Sequence, residues 1–200
     1  MMRKSKINKA NVLGFSLGGA VALKLASQYP RSVQHVICIA TTGGGHLASD
    51  FSEPILQLFD CMKTAKTSDE IKACHMRLFD FLLPQKISKT NAEKIRKVIT
   101  SGGSVPQAVL QRFVDLEKSW WASGLGEEKL SQIKQPTLIV HGKDDAFIPI
   151  ENALNLSKII PDASLIRYPQ AGHGLLYQYP LAIARLINLF TTMSASRWQH

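Results

Sequence analysis

A serine stands between glycines at the junction of two apolar segments, in the sequence Gly14-Phe15-Ser16-Leu17-Gly18-Gly19. The segment before it, residues 11–15, is short and apolar and predicts a buried strand. The segment after it, residues 17–29, has helical character and is followed by Pro30. Strand, sharp turn and helix in this order match the G-x-S-x-G pattern, in which the turn holds a serine hydroxyl beyond the end of a sheet. We expect the flanking glycines to avoid collisions between the neighbouring strand and helix.

Further strands and helices alternate with each other on both sides of the middle of the chain. Residues 33–40, VQHVICIA, are β-branched and apolar, as in a strand that is covered on both faces of a parallel sheet. After the middle, residues 136–141 and 163–168 predict strands, and residues 151–160 and 175–193 predict mainly helical segments. This alternation predicts an α/β fold with a parallel sheet and right-handed crossovers.

The middle of the chain has helical periodicity and no convincing strand. Ser52 and Ser68 are candidate helix caps because each is followed at once by acidic and apolar residues. We therefore expect a core built from residues 1–43 and 127–200, interrupted by a helical insert of residues 44–126. Aromatic side chains of this insert fit two alternatives, an acyl-binding pocket or the insert's own core: Phe79, Phe81, Trp120 and Trp121.

Two polar loops follow the later predicted strands, Gly142-Lys143-Asp144-Asp145 and Gly172-His173-Gly174. Because the carboxyl ends of parallel strands gather at one edge of a sheet, we expect Ser16, an aspartate and His173 to meet there. An imidazole can remove the proton that makes a serine hydroxyl a poor nucleophile, and a carboxylate can orient that imidazole. The G-x-x-D spacing favours Asp145 over Asp144, which we expect to be a solvated or capping carboxylate.

Three stretches carry a resemblance to a known family: VLGFSLGGAVALKLASQYP, PTLIVHGKDDAFIP and QAGHGLLYQYP. Over residues 11–42 and 135–190 the chain resembles the carboxyl-terminal part of an α/β-hydrolase, and the helical insert resembles that family's lid. The resemblance implies a parallel-sheet α/β-hydrolase fold that lacks the amino-terminal strands. It also implies Ser16 as nucleophile, Asp145 as acid and His173 as base.

The resemblance further implies that the backbone N–H of Leu17 donates to the oxyanion, with a second donor from a loop that precedes the nucleophile strand. Residues 1–10 do not supply that loop. The implied activity is hydrolysis of a small-molecule acyl substrate: an ester, a thioester, a lactone or a C–C bond beside a carbonyl. It needs no cofactor and no metal. The alternative is a truncated, inactive hydrolase-like chain that persists as an interaction partner or as a non-functional product.

The strand at residues 11–15 is expected to form a sheet edge, since no strand is predicted before it. Unpaired N–H and C=O groups on an apolar edge invite pairing with another chain. We therefore expect poor solubility or a homodimer through this edge. We also expect little hydrolase activity from the 200-residue form by itself.

Composition limits which partners the chain can bind and in which compartment we expect it. The net charge is +9, but lysines and arginines are scattered, so we expect no nucleic-acid partner. No apolar stretch reaches about 18 residues, which predicts no membrane span, and no signal peptide is recognisable. A cytoplasmic protein is the resulting expectation. The three cysteines, Cys38, Cys61 and Cys74, argue against a disulfide framework or zinc site, and Cys38 is expected in the core.

The other histidines lack the sequence context of His173. His141 ends a predicted strand and is expected to be structural. Four more are expected at the surface without a catalytic role: His35, His46, His75 and His200.

Overall fold

The computed structural model describes residues 7–83, 89–100 and 106–197. Within them, four strands form one parallel sheet in the order β1-β2-β3-β4: β1 (Ala10–Phe15), β2 (Val33–Ile39), β3 (Thr137–Gly142) and β4 (Ala163–Tyr168). The helices are α1 (Leu17–Gln28), α2 (Glu53–Thr64), α3 (Ser68–Leu82), α4 (Lys89–Thr100), α5 (Gln107–Ser123), α6 (Glu127–Ser131), α7 (Glu151–Ile159), α8 (Leu175–Gln178) and α9 (Pro180–Arg197). The predicted parallel-sheet α/β fold is confirmed.

The sheet is covered on both faces by helices, which explains the apolar sequences of its inner strands. Side chains of α1, α6 and α7 pack on one face, with Leu23, Leu130 and Leu156 in the same cluster as Cys38. Helices α8 and α9 pack on the other face, around Ile37. Cys38 is fully buried and free, as expected. The core therefore lies between two helical layers with β2 and β3 at its centre.

Strand β1 lies at one edge of this sheet and pairs with β2. Alternate side chains along it are exposed, and Leu13 retains 48% of its accessible surface. The edge position agrees with the expectation from the sequence. Pairing of a second chain along it stays a prediction.

The helical insert has an apolar core of its own that extends onto the sheet domain. Buried side chains of α2, α3 and α5, including Phe59 and Val114, form one cluster with Phe147 from the loop after β3. Phe51 stacks on Trp121 with ring centroids 3.9 Å apart. Trp121 and Phe81 pack against this cluster, which favours the core alternative for both. The division of the chain at residues 44 and 126 stays a prediction.

The caps of α2 and α3 differ from the expected pattern. Ser52 is the N-cap residue of α2, but its side chain makes no capping hydrogen bond. The N-cap of α3 is Thr67 rather than Ser68, so that prediction is wrong. Thr67 Oγ1 accepts a hydrogen bond from the Glu70 N–H at 3.2 Å, and Glu70 Oε2 accepts one from the Thr67 N–H at 3.0 Å. This reciprocal pair satisfies two backbone donors, which Ser68 as the cap would not achieve.

The cysteines of the insert correct another expectation. Cys61 of α2 and Cys74 of α3 form a disulfide, with their Cα atoms 5.7 Å apart. The expected absence of a disulfide is wrong, because the spacing of cysteines along the chain does not show which of them meet in the fold. The packing of α2 on α3 brings together two cysteines that are 13 positions apart.

Of the histidines expected at the surface, His35 is buried and His46 is exposed. His35 is 3% exposed, with Nδ1 2.7 Å from Asn11 Oδ1 and its ring against Phe190, so the expected surface position is wrong. It is buried because α9 covers this face of β2. The side chain of His46 is exposed, as expected. The side chain of His75, and His200 as a whole, lie outside the described residues.

Among the helices that the described residues form, we find none with the length and apolar character needed to cross a membrane.

Candidate active site

Ser16 sits in the turn from β1 to α1 with a strained backbone, φ 54° and ψ −125°. Such a conformation costs on the order of 1–3 kcal/mol in a residue with a side chain and persists only when its surroundings hold it. Here the Ser16 N–H donates to the Ile39 carbonyl at 2.9 Å. The Ser16 carbonyl accepts hydrogen bonds from Thr41 Oγ1 and from the Gly19 N–H, both at 2.8 Å. The neighbouring strand β2 and its following loop thus fix the serine in place.

The glycines around Ser16 have unequal roles. A side chain at Gly14 would collide with the Gly18 carbonyl, and one at Gly19 would collide with the Thr41 side chain. A Cβ at Gly18 would meet nothing within 4 Å. The expected steric need for glycine therefore holds for Gly14 and Gly19, where α1 crosses closely over β1 and β2, but it is wrong for Gly18.

The structure brings Ser16, His173 and Asp145 together in one hydrogen-bonded chain. His173, in the loop after β4, has Nε2 3.0 Å from Ser16 Oγ. Its Nδ1 lies 2.9 Å from Asp145 Oδ2, in the loop after β3. Asp144 is exposed, and its backbone N–H donates to the Ala171 carbonyl. Of the two adjacent aspartates, Asp145 is the one that faces His173.

The loop after β3 fixes the Asp145 carboxylate. Its Oδ1 accepts hydrogen bonds from the N–H groups of Phe147 and Ile148 at 2.9 and 2.8 Å. His141 Nε2 donates to the Ile148 carbonyl at 2.8 Å and lies 3.3 Å from Asp145 Oδ2. His141 is fully buried, so its expected structural role becomes specific: it supports the loop that carries Asp145.

Opposing effects act on the pKa of Asp145. Burial raises this pKa, but the positive charge of His173 and the hydrogen bonds from His141 and His173 lower it, and together they hold it well below its usual value. An ionised Asp145 accepts a hydrogen bond from His173 Nδ1–H, which fixes the imidazole tautomer. This leaves the lone pair of Nε2 to accept the Ser16 hydroxyl proton.

His173 lies at the contact between the sheet domain and the insert. Its ring stacks on Phe147 with centroids 4.9 Å apart and lies 5.1 Å from the Phe15 ring. The next residue, Gly174, donates its N–H to the carbonyl of Leu82 at the end of α3. The insert therefore contacts the loop that presents the imidazole.

A titratable group that the sequence reasoning missed faces this region. Glu117 of α5 is only 1% exposed, and its Oε1 has no hydrogen-bond partner among the described residues. Burial raises the pKa of Glu117 to about 7, while the charge of His173 acts in the opposite direction. The available signal was its spacing: Glu117 is three residues after Val114 and four before Trp121, on the apolar stripe of α5.

Leu17 is the first residue of α1, directly after Ser16. The N–H groups of a helix's first turn have no acceptor within the helix. The helix dipole favours negative charge at this end of α1, and the Leu17 N–H is a donor there without an acceptor inside the helix.

Comparisons with known proteins agree with this architecture. Residues 1–180 match the family model described as alpha/beta hydrolase fold. A 2-hydroxy-6-oxo-6-phenylhexa-2,4-dienoate hydrolase of Burkholderia cepacia is 28% identical over 198 residues, covering 93% of this chain and 64% of the relative. A pimeloyl-(acyl-carrier protein) methyl ester esterase of Nitrosomonas europaea is 27% identical over 179 residues, covering 85% and 66%. The chain thus spans about two thirds of the length of these curated relatives.

A solved structure shares the fold. An alpha/beta hydrolase enzyme from a Medee basin deep-sea metagenome library superposes with a TM-score of 0.76 and 21% identity, covering 94% of this chain and 67% of that one. Since the family model covers most of the sequence, the chain belongs to the alpha/beta hydrolase fold family.

Proposed function

We propose that this chain carries the catalytic triad of a serine hydrolase, with Ser16 as nucleophile, His173 as general base and Asp145 as the orienting carboxylate. The observation that supports it is the continuous hydrogen-bond chain: 3.0 Å from Ser16 Oγ to His173 Nε2 and 2.9 Å from His173 Nδ1 to Asp145 Oδ2. This assembled geometry favours catalysis over the alternative of an inactive hydrolase-like chain.

The chemistry follows from this arrangement. Ser16 Oγ attacks the carbonyl carbon of the substrate while His173 Nε2 takes the hydroxyl proton. The negative charge of Asp145 stabilises the imidazolium, and the Leu17 N–H donates to the oxyanion. His173 then returns the proton to the leaving group, which departs from the acylated Ser16. A water molecule, deprotonated by His173, releases the acyl group.

The substrate class is a small-molecule acyl compound: an ester, a thioester, a lactone or a compound with a C–C bond beside a carbonyl. The two curated relatives named above, a dienoate hydrolase and a methyl ester esterase, support this range. The mechanism draws only on side chains and backbone N–H groups of this chain, and we propose no metal or cofactor for it.

The insert, residues 44–126, is proposed as a lid over Ser16. Trp120 Nε1–H of α5 donates to the Thr42 carbonyl at 3.0 Å, directly after β2. The loop of His173 is tied to the end of α3 by the hydrogen bond between Gly174 and Leu82. Both contacts lie at the carboxyl edge of the sheet, where Ser16 turns.

The exposed edge of β1 is proposed to pair with a second copy of the chain. Leu13 is 48% exposed on this edge, and an apolar edge strand favours such pairing. Light scattering of the wild type and of Leu13→Lys tests this: the substitution should shift dimer to monomer. A wild-type protein that is monomeric at high concentration would contradict the pairing.

Fluorophosphonate labelling tests the triad, because the reagent reports an activated serine even where turnover is slow. We expect labelling of the wild type and of Ser164→Ala, which removes an exposed serine of β4, but not of Ser16→Ala or His173→Ala. Circular dichroism checks that each variant is folded. Labelling that is equal in the wild type and Ser16→Ala, or absent from a folded wild type, would contradict the proposed function.

A further inference from the structure

One face of α5 packs toward the loop after β3 and carries a titratable carboxyl. Val114, Glu117 and Trp121 lie three and four positions apart, so they share this face. Val114 packs in the same cluster as Phe147, whose ring stacks on His173. Glu117 stands between Val114 and Trp121 on the helix, and the charge of His173 acts to lower its pKa.

Hydrogen bonds hold the carboxyl-terminal half of α5 above the strand ends. Trp121 Nε1–H donates to the Ser49 carbonyl at 2.7 Å, and the Leu125 N–H donates to the Gly43 carbonyl at 3.0 Å. Gly43 follows Thr41 closely, and Thr41 Oγ1 donates to the Ser16 carbonyl. The helix that carries Glu117 is thus fixed to the same loop that holds the serine.

The Glu117 carboxyl is unusual because it is buried although one of its two oxygens is unpaired among the described residues. It is 1% exposed, and its Oε1 lacks a hydrogen-bond partner among the described residues. Most buried polar side-chain atoms in folded proteins have such a partner, because desolvating one without a partner is unfavourable. A carboxyl in this state, on the helix face whose Val114 packs with Phe147 beside His173, points to a partner that arrives with the substrate.

We propose that Glu117 is a specificity residue that contacts the substrate, with its carboxylate binding a primary ammonium group on the acyl part. This inference rests on the proposed serine hydrolase function. An ammonium group has three donors and no acceptor, whereas a carboxylate has only acceptors, so the two complement each other. The pairing neutralises the charge that burial makes unfavourable. A substrate with a carboxylate at this position is disfavoured by repulsion.

The test compares three p-nitrophenyl esters of matched length: 6-aminohexanoate, heptanoate and the adipate monoester, which are cationic, neutral and anionic. Shorter matched sets cover other distances from Ser16. The readout is the ratio of kcat/KM for the cation to that for the anion in wild type, Glu117→Gln and Asp115→Asn. Asp115 is the control because it is an exposed carboxylate on the same helix.

We expect the wild type and Asp115→Asn to prefer the cation by about tenfold to hundredfold, the range for a hydrogen bond to a charged group. Glu117→Gln should lose most of this preference. Glu117→Asp keeps the charge and should keep the preference, which separates charge recognition from a folding defect. A ratio that is the same in wild type and Glu117→Gln would overturn the inference.

A binding measurement separates this inference from the proposed function. Calorimetry with Ser16→Ala should detect n-hexylammonium, with hexanoate binding at least about tenfold more weakly. Adding Glu117→Gln to that variant should abolish the difference. If esters are not hydrolysed but this difference is seen, the hydrolase proposal fails and the ammonium site stands. If Ser16-dependent hydrolysis is seen without any charge preference in rate or binding, the ammonium site fails.

Discussion

The sheet domain and the helical insert contribute different functional groups by different physical means. The sheet domain supplies Ser16, Asp145 and His173, each in a loop or turn that directly follows a strand. Ser16 is held by backbone hydrogen bonds to β2 and its following loop, and Asp145 is held by N–H groups of its own loop. The insert supplies Glu117 from the middle of α5, a helix that is oriented by the packing of its side chains and by the hydrogen bonds of Trp120 and Trp121. In the proposed mechanism, the strand ends carry the chemistry and one helix of the insert carries the selectivity.

The two regions contact each other at several points, of which two lie close to the site. Gly44, which directly follows the β2 loop, lies against the carbonyl of Trp120 and against Gly124 at the end of α5. Phe147 joins the insert's apolar cluster to the ring of His173. A change at these points should affect both regions, whereas a change away from them should affect only one.

The largest expected effect concerns the two adjacent aspartates of the sheet domain. Asp145→Asn should lower kcat about 10⁴-fold, because an amide favours the wrong imidazole tautomer. Asp144→Asn removes an exposed carboxylate one residue earlier and should leave kcat nearly unchanged. Hydrolysis of p-nitrophenyl butyrate by the two variants measures this. Similar losses in both would mean that the loop charge, rather than the contact with His173, matters.

The junction between the two regions gives the next largest effect. Gly44 has φ 68°, and a Cβ there would collide with the Trp120 carbonyl. Gly126 has a similar φ of 79°, but a Cβ there would meet nothing within 4 Å. We expect Gly44→Ala to lower the free energy of unfolding by about 4 kcal/mol, and Gly126→Ala, which adds only backbone strain, by about 2 kcal/mol.

Urea denaturation of both glycine variants measures this difference. Equal losses would show that the close approach of α5 to the β2 loop is not maintained in solution. The insert would then pack less tightly against the sheet domain than the structure indicates.

The sequence predicted the arrangement at the strand ends well because the proposed triad residues follow strands in short segments that contain glycine. Local patterns pointed to Ser16, Asp145 and His173. The alternation of strands and helices predicted that the four strands, β1 to β4, form one parallel sheet. The exception is Gly18, where the motif matched but the expected steric reason did not hold. A turn motif in the sequence shows that glycine occurs at a position, but it does not show which neighbouring atoms exclude a side chain there.

The insert was predicted less completely, for a physical reason. Glu117 and the Cys61–Cys74 disulfide depend on how helices pack against each other and against the sheet. Helical periodicity gives one apolar stripe per helix, but it does not give the partner of that stripe. His35 shows the same limit in the sheet domain, since its burial depends on α9, which is distant in sequence.

The pH dependence of stability should distinguish Glu117 from every exposed carboxylate of the insert. Its pKa in the folded state is about 7, above the ordinary 4.5, so the folded state binds the proton more tightly. The stabilisation is complete below pH 4.5 and is lost as the pH rises through 7. Relative to Glu117→Gln, the free energy of unfolding of the wild type should fall by about 3 kcal/mol over this range.

Chemical denaturation of wild type, Glu117→Gln and Asp115→Asn between pH 4.5 and 8 measures this contribution. Asp115→Asn should follow the wild-type curve, because Asp115 is exposed. Parallel curves for wild type and Glu117→Gln would mean that the Glu117 carboxyl is hydrated in solution. That result would also remove the desolvation on which its role in selectivity depends.

The smallest expected effect concerns the disulfide, which lies wholly within the insert. Cys61 and Cys74 close a short loop between α2 and α3, and breaking such a loop typically lowers stability by about 2–3 kcal/mol. Because both cysteines lie in α2 and α3, reduction should speed hydrogen exchange in these helices and leave exchange in β2 and β3 unchanged. Cys38→Ala is the matched control, since it removes a buried free thiol from β2 and should show the reverse pattern. Faster exchange in all four elements on reduction would mean that insert and sheet domain unfold as one unit, so that the contrast between them applies to function but not to stability.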